Sequence, residues 1–130
     1  MGFFHKLSTT FNKSSDLSAL PWLELTALDQ LEEIKEFSKT KPQLIFKHST
    51  RCGISSMVLR RFEDDYYLHL KGKVDLFYLD LLSYRDISNE ISSRFGVYHE
   101  SPQLLIVKNG KVIKHASHGA INDLDFFKIL

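Results

Sequence analysis

The sequence predicts an α/β fold: a mixed central sheet with helices on both faces, in the order β-α-β-α-β-α-β-β-α. Three observations carry this. The run Leu44-Ile45-Phe46 lacks polar alternation, as a strand covered on both faces does, and further strand-like runs stand at 74–79 and 103–108. Helical stripes of three- and four-residue spacing separate them, which implies parallel strands joined by right-handed crossovers. Asn109-Gly110 then stands between two strand-like runs, a strong hairpin signal that adds an antiparallel pair at the end.

The elements follow in chain order. Residues 1–20 read as a tail or packing arm, with Phe3, Phe4, Leu7 and Phe11 spaced for one side of a helix. A single domain is expected over 21–130. Trp22-Leu23-Glu24-Leu25 reads as a short first strand. Leu28, Leu31, Ile34 and Phe37 form the apolar stripe of a first helix, with Thr26 as its N-cap and Pro42 marking the break after it. Gln43-Leu44-Ile45-Phe46 is the second strand. The next helix starts near Ile54 and carries Val58, Phe62, Tyr66 and Leu70, with Gly72 as terminator. Val74–Leu79 is the third strand, and Ile87, Ile91 and Phe95 mark a third helix ending at Gly96. Pro102 opens the hairpin Gln103–Lys108 and Lys111–His115. Asn122 or Asp123 caps a last short helix bearing Leu124, Phe127 and Leu130.

Composition narrows the function classes. The 130 residues suffice for one domain with a real core. Seventeen basic against 16 acidic residues leave a net charge of +1, which gives no warrant for nucleic acid or an anionic membrane as partner. No apolar run approaches the ~18–20 residues of a bilayer span. The opening Met1–Leu7 is too short in its apolar part for a signal peptide, and Lys6 stands where myristoylation wants Ser or Thr. A cytoplasmic location is the expectation. Cys52 is the one cysteine, so no internal disulfide forms. The six histidines are scattered, and His115 and His118 fall on opposite faces of a continuing strand, so no metal site is expected.

The chemistry concentrates at Ser49-Thr50-Arg51-Cys52-Gly53-Ile54-Ser55. A strand, a short turn and a helix beginning at cysteine place sulfur against unpaired backbone N–H groups and the positive dipole end. That position favours the thiolate, which is the nucleophile. Arg51, Lys47 and His48 lie on the approach, where they would add positive potential, and Lys47 and Arg51 would attract an anionic thiol's carboxylates. Ser55 is one helical turn on, so its hydroxyl can point back at the sulfur; equally, a helix-start serine serves simply to satisfy backbone N–H groups. The plain alternative is an inert, buried cysteine. Arg60-Arg61-Phe62-Glu63-Asp64-Asp65 reads as a solvated helix face with local pairs.

The layout resembles the thioredoxin-like fold over nearly all of 22–130, with the second cysteine of a C-x-x-C site replaced by Ser55. Within that fold, Phe46-Lys47-His48-Ser49-Thr50-Arg51-Cys52-Gly53-Ile54-Ser55 and Glu100-Ser101-Pro102-Gln103 are most similar to the monothiol bacilliredoxins, the YtxJ-type proteins of the bacillithiol system. That family usually reads Pro-Ile-Ser after its cysteine; here Gly53 replaces the proline. The resemblance implies an oxidoreductase that relieves oxidative stress by removing a low-molecular-weight thiol, bacillithiol, from S-thiolated client proteins. The thiol is a co-substrate and no bound cofactor is implied. Cys52, Ser55 and Arg51 take the catalytic roles and Thr50, Gly53, Ser101 and Pro102 contact substrate. Pro102 becomes a cis-proline beside the sulfur, exposing the Ser101 backbone to pair with the substrate as an added strand would. Thioredoxins bury a carboxylate near their site; Leu44, Ile45 and Phe46 offer none, and a monothiol site needs none. With no internal resolving thiol, an adduct on Cys52 awaits an outside thiol.

Two other readings remain open at this point. Cys52-Gly53-Ile54-Ser55 resembles the Cys-Gly-Phe-Ser of monothiol glutaredoxins, which use glutathione or hold an iron–sulfur cluster. Those proteins, however, carry Thr-Val-Pro where this chain has Glu100-Ser101-Pro102, and their Gly-Gly turn is matched only by His118-Gly119. The other reading is a non-catalytic binding domain of the same fold.

Overall fold

The computed structural model describes residues 20–130. The proposed arm, with Phe3, Phe4, Leu7 and Phe11, lies outside the described residues. The strands are β1 (Trp22–Glu24), β2 (Gln43–His48), β3 (Asp75–Asp80), β4 (Gln103–Lys108) and β5 (Lys111–Ser117). The helices are α1 (Gln30–Phe37), α2 (Gly53–Leu70), α3 (Arg85–Phe95) and α4 (Phe126–Ile129), with a 3-10 segment over His118–Asp123. One five-stranded sheet runs β1-β3-β2-β4-β5. β1 and β2 flank β3 in parallel, whereas β4 runs antiparallel to both β2 and β5.

The unbroken burial of β2 follows from its central position. Leu44 and Phe46 face α2 and join Val58, Phe62, Tyr66, Leu70, Leu104, Ile106 and Phe126 in one core. Ile45 faces the other way, into a second core with Leu31, Ile34, Ile87, Ile91, Leu105 and Val107 from α1, α3 and β4. Each face of the sheet thus has its own apolar layer, and every residue of β2 from Gln43 to His48 is buried. Trp22 anchors β1 to α2: its ring packs on Phe46 and Phe62, and its Nε1–H donates to Glu63 Oε2 at 2.8 Å.

The hairpin forms as its Asn-Gly pair dictates, with φ of 53° at Asn109 and 79° at Gly110. Gly72 and Gly96 take positive φ just after α2 and α3. Four local expectations are corrected. Thr26 does not cap α1; Asp29 holds the N-cap position without a side-chain bond, while Gln30 Oε1 accepts from the Thr26 and Ala27 amides. The start is delayed because the Thr26 and Ala27 amides are spent on the Gln30 side chain. Leu28, Phe37 and Ile54 are exposed: Leu28 precedes α1, Phe37 ends it and Ile54 lies at the start of α2, where the core-facing stripe has not begun. Neither Asn122 nor Asp123 caps the last helix. Both belong to the 3-10 segment, and Asp125 caps α4 by accepting from the Phe127 amide. Phe126, not Phe127, is the buried ring there. The charge run on α2 behaves as a solvated face, with Arg61 and Asp65 paired one turn apart and Phe62 alone turned into the core.

Candidate functional site

The site lies at one end of the sheet. β2 delivers the chain there at His48, and residues 49–52 turn it into α2. The turn is closed by the Cys52 amide donating to Ser49 O at 3.1 Å. Cys52 is the N-cap of α2, with extended backbone angles of −109° and 119°, and its carbonyl accepts the first helical bond from Ser56. The thiol is partly exposed. Its neighbours in the chain, Thr50, Arg51 and Gly53, are exposed, and Ile54 and Met57 are 65% and 68% exposed over the first two turns of α2.

β4 begins at the same end. Lys47 pairs with Gln103 in the antiparallel register, so Pro102 falls one step further, beside the end of β2. The Ser101–Pro102 peptide is cis. The Pro102 carbonyl accepts from the His118 amide at 3.0 Å, which ties the segment to the end of β5. Pro102 is buried and Ser101 partly so, and Ser101 Oγ is sealed from water without a partner.

Ser55 departs from the expected orientation. Its side chain is fully buried, and its hydroxyl is engaged at 2.7 Å by His48 Nδ1 and at 3.2 Å by the Ser49 N–H, which donates to it. The hydroxyl therefore braces the turn from inside rather than reaching back to the sulfur. His48 is likewise no cation on the approach. It is buried between Phe46, Tyr78 and Ser55, and burial pulls its pKa below the usual value against the opposing pull of Asp80. Tyr78 beside it is pushed up to about 12 by burial, then by Asp80, Glu24 and Glu63.

Lys47 is the second correction. Alternation along β2 sends it to the face opposite α2, where it is fully buried. Its Nζ lies 3.3 Å from Ser88 O, 3.4 Å from Ser92 Oγ and 3.2 Å from His99 Nδ1. Burial lowers its pKa to about 8. His99 is lowered as well, by burial and then by Lys47 and Arg85 against Glu100. The strand does bury an ionisable group near the site, as an ammonium rather than a carboxylate. Sequence reasoning missed Ser88, Ser92 and His99 as its partners. The one available signal was a lysine inside a strand covered on both faces, which must find acceptors on a neighbouring helix.

Of the residues proposed for the site, Thr50, Arg51, Cys52 and Gly53 share the turn, and Ser101 and Pro102 adjoin the end of β2. Among the described residues no group of three or more His, Cys, Asp or Glu side chains is placed to hold a metal ion. No described helix is long and apolar enough to cross a membrane.

A mixed five-stranded sheet of this order, with a partly exposed cysteine starting the helix after β2 and a cis-proline before β4, defines a protein of the thioredoxin fold with one cysteine. Solved structures agree on the fold. One, described provisionally as an oxidoreductase with a thioredoxin fold, is 33% identical, with a TM-score of 0.68 over 78% of this chain and 86% of its own. Thioredoxin NaTrxh from Nicotiana alata is 18% identical, with a TM-score of 0.65 over 88% of this chain and 96% of its own. Thioredoxin f2, in its complex with ferredoxin:thioredoxin reductase, is 18% identical, with a TM-score of 0.63 over 83% and 91%. The family model for monothiol bacilliredoxin BrxC matches residues 23–126. The chain belongs to the monothiol bacilliredoxin family, and with it to the thiol oxidoreductases of the thioredoxin fold.

Proposed function

We propose that this protein removes a low-molecular-weight thiol, bacillithiol, from S-thiolated client proteins through Cys52. The observation that carries the reading is a lone, partly exposed thiol at the N-cap of α2 whose neighbour one turn on is a hydroxyl. The Cys52 thiolate attacks the small thiol's sulfur in the client's mixed disulfide. The client–sulfur bond breaks, the client leaves as thiolate and takes a proton from water, and the small thiol is now disulfide-bonded to Cys52. Ser55 cannot displace it. A second small thiol attacks instead, forming the small-molecule disulfide and returning the Cys52 thiolate. The exposed Ile54 and Met57 form an apolar border for the client segment. Thr50, Gly53 and the Ser101 backbone are the contacts for the substrate's peptide-like part, and exposed Arg51 supplies positive potential for an anionic thiol. No bound cofactor enters this scheme, and a cytoplasmic setting, where such thiols are kept reduced, suits it.

The test mixes a bacillithiolated client with the protein and follows both masses. The client should lose the adduct while this protein gains one, with recovery only on adding free thiol. Cys52→Ser should do neither, and Ser55→Cys should recover unaided through an internal disulfide. Turnover of the wild type without external thiol would overturn the monothiol scheme. A client carrying glutathione in place of bacillithiol tests the glutaredoxin-like alternative; faster transfer from it would reassign the co-substrate.

A further inference from the structure

The Lys47 ammonium is fully buried, yet the groups that accept from it are all neutral: Ser88 O, Ser92 Oγ and His99 Nδ1. Among the described residues it forms no ion pair. Buried charges are ordinarily paired, because the loss of water is otherwise left uncompensated. The chain thus holds a positive charge inside and supplies no counter-ion for it. Burial lowers its pKa only to about 8, so the charge is present at pH 7.

In front of that charge lies an open groove of about 470 Å³, between α3 and residues 96–99. Asn89, Ser92 and Ser93 line it from one face of α3, at the spacing of helical neighbours, and Tyr98 and His99 line it from the loop. Two of these, Ser92 and His99, are the side chains that touch the ammonium. An ammonium only donates, so His99 Nδ1 accepts, and the neutral ring carries its proton on Nε2. The ring is exposed, and Nε2 is on the side away from Lys47, so an N–H donor faces outward. The Asn89 amide and the hydroxyls of Ser92 and Ser93 add further donors. Among the described residues no carboxylate lines the groove. Of the charged groups acting on His99, Arg85 adds to Lys47 and Glu100 opposes them.

We infer that this groove is a carboxylate-binding site: the ligand's carboxylate accepts from His99 Nε2–H and the serine hydroxyls of α3, with the Lys47 ammonium behind them as counter-charge. The ligand class is a small organic acid, and the volume falls in the range of small-molecule sites. Two sources offer that chemistry. One is a free organic acid. The other, resting on the proposed function, is the small thiol with its carboxylates; residues 96–99 lead directly into Ser101–Pro102, at the Cys52 end of the sheet.

Titration with succinate at pH 7 and fixed ionic strength tests the site. It is followed by the imidazole ¹⁵N shifts of His99 and the amide shifts of Ser92 and Ser93. All should move and saturate together, whereas succinamide, of the same shape without the charge, should move none of them. Lys47→Met should weaken succinate binding about tenfold, since the buried charge is the one removed. Lys111→Met, which takes an exposed charge from β5, should leave the affinity as it was. Bacillithiol methylated on its sulfur separates the sources: saturating shifts at the same residues assign the groove to the small thiol, and their absence assigns it to a free organic acid. No saturating shift with succinate, an equal response to succinamide, or wild-type affinity in Lys47→Met would each overturn the site. None of these readings involves sulfur chemistry, so the outcome is separate from adduct transfer at Cys52.

Discussion

The hydroxyl of Ser55 lies 2.7 Å from Nδ1 of His48, with both side chains sealed in the protein. This bond joins the last residue of β2 to the first turn of α2, and the Ser49 amide closes it into a brace. The turn bearing Cys52 is therefore held from beneath. Removing the hydroxyl strands a partly buried amide and a buried ring nitrogen together. Ser55→Ala should cost about 1–3 kcal/mol of stability, measured by urea denaturation at pH 7. An unchanged midpoint would show that water or a neighbour takes over both groups.

Lys47 yields a pH dependence of defined sign. Its folded pKa is about 8 against an ordinary 10.5, because burial penalises the charge. Between these values the unfolded chain binds more protons than the folded one, so stability rises with pH through that window. Tyr78, raised to about 12, acts the opposite way once pH passes the unfolded tyrosine value near 10. The gain should therefore show between about pH 8 and 10, on the order of 1–3 kcal/mol. Lys47→Met should flatten it and be neutral to stabilising at pH 7, as when a buried charge gives way to an apolar chain of similar length. Denaturant midpoints at several pH values check both; a slope that survives in Lys47→Met belongs to other groups.

Much of this was legible in the sequence. The unalternated run Leu44-Ile45-Phe46 gave away a buried strand, Asn109-Gly110 the hairpin, and Cys52 the strand-to-helix turn of the candidate site, since each follows from local geometry that few other patterns share. Ser101–Pro102 was placed by resemblance, because a proline's isomer depends on tertiary surroundings rather than its own residues. What stayed hidden was which face each polar residue meets. Lys47 and His48 are neighbours in sequence and read together as cations near the thiol. In a strand covered on both sides they part, one to Ser88, Ser92 and His99, the other to Ser55. Their partners come from residues 7 to 52 positions away, and no local pattern encodes that. Thr26 and Asn122 failed as caps for a similar reason: each helix starts where tertiary packing allows, and Gln30 and Asp125 were better placed.

The far end of the sheet supplies a control. Ser38 is buried at the end of α1, where its Oγ donates to Lys35 O at 2.6 Å and accepts from the Gly110 amide at 2.8 Å. The Asn109 amide donates to the Ser38 carbonyl at 2.8 Å. The serine thus clasps the hairpin turn onto α1. Ser38→Ala should cost about 1–2 kcal/mol, and Gly110→Ala about 1 kcal/mol because φ there is 79°. Neither lies near Cys52, so alkylation of the thiol should keep its wild-type rate and pH profile. A changed profile would mean that the hairpin and the site are coupled.

Gly53 is the place where this chain departs from its family's usual Pro-Ile-Ser, at a position whose helical setting and free space for a Cβ favour a proline. Gly53 is the first residue of α2, where a missing N–H removes no helical bond and a fixed φ near −65° suits the helix. Cys52 before it has φ −109° and ψ 119°, within the extended region that a residue preceding proline prefers. A Cβ added at Gly53 would meet nothing within 4 Å. The replacement also narrows the unfolded chain's freedom at a position whose folded conformation already agrees. Gly53→Pro should therefore stabilise the protein by about 0.5–1 kcal/mol, seen as a higher denaturant midpoint with an unchanged slope. The glycine's effect would then lie in the mobility of the turn that carries the thiol. Amide hydrogen exchange at Cys52, Ile54 and Ser55 should slow in the variant, while exchange in β2 stays as it was. A lowered midpoint would show instead that the Gly53 N–H or its freedom of φ is used in the folded state, and that the turn is built differently from a proline-started helix.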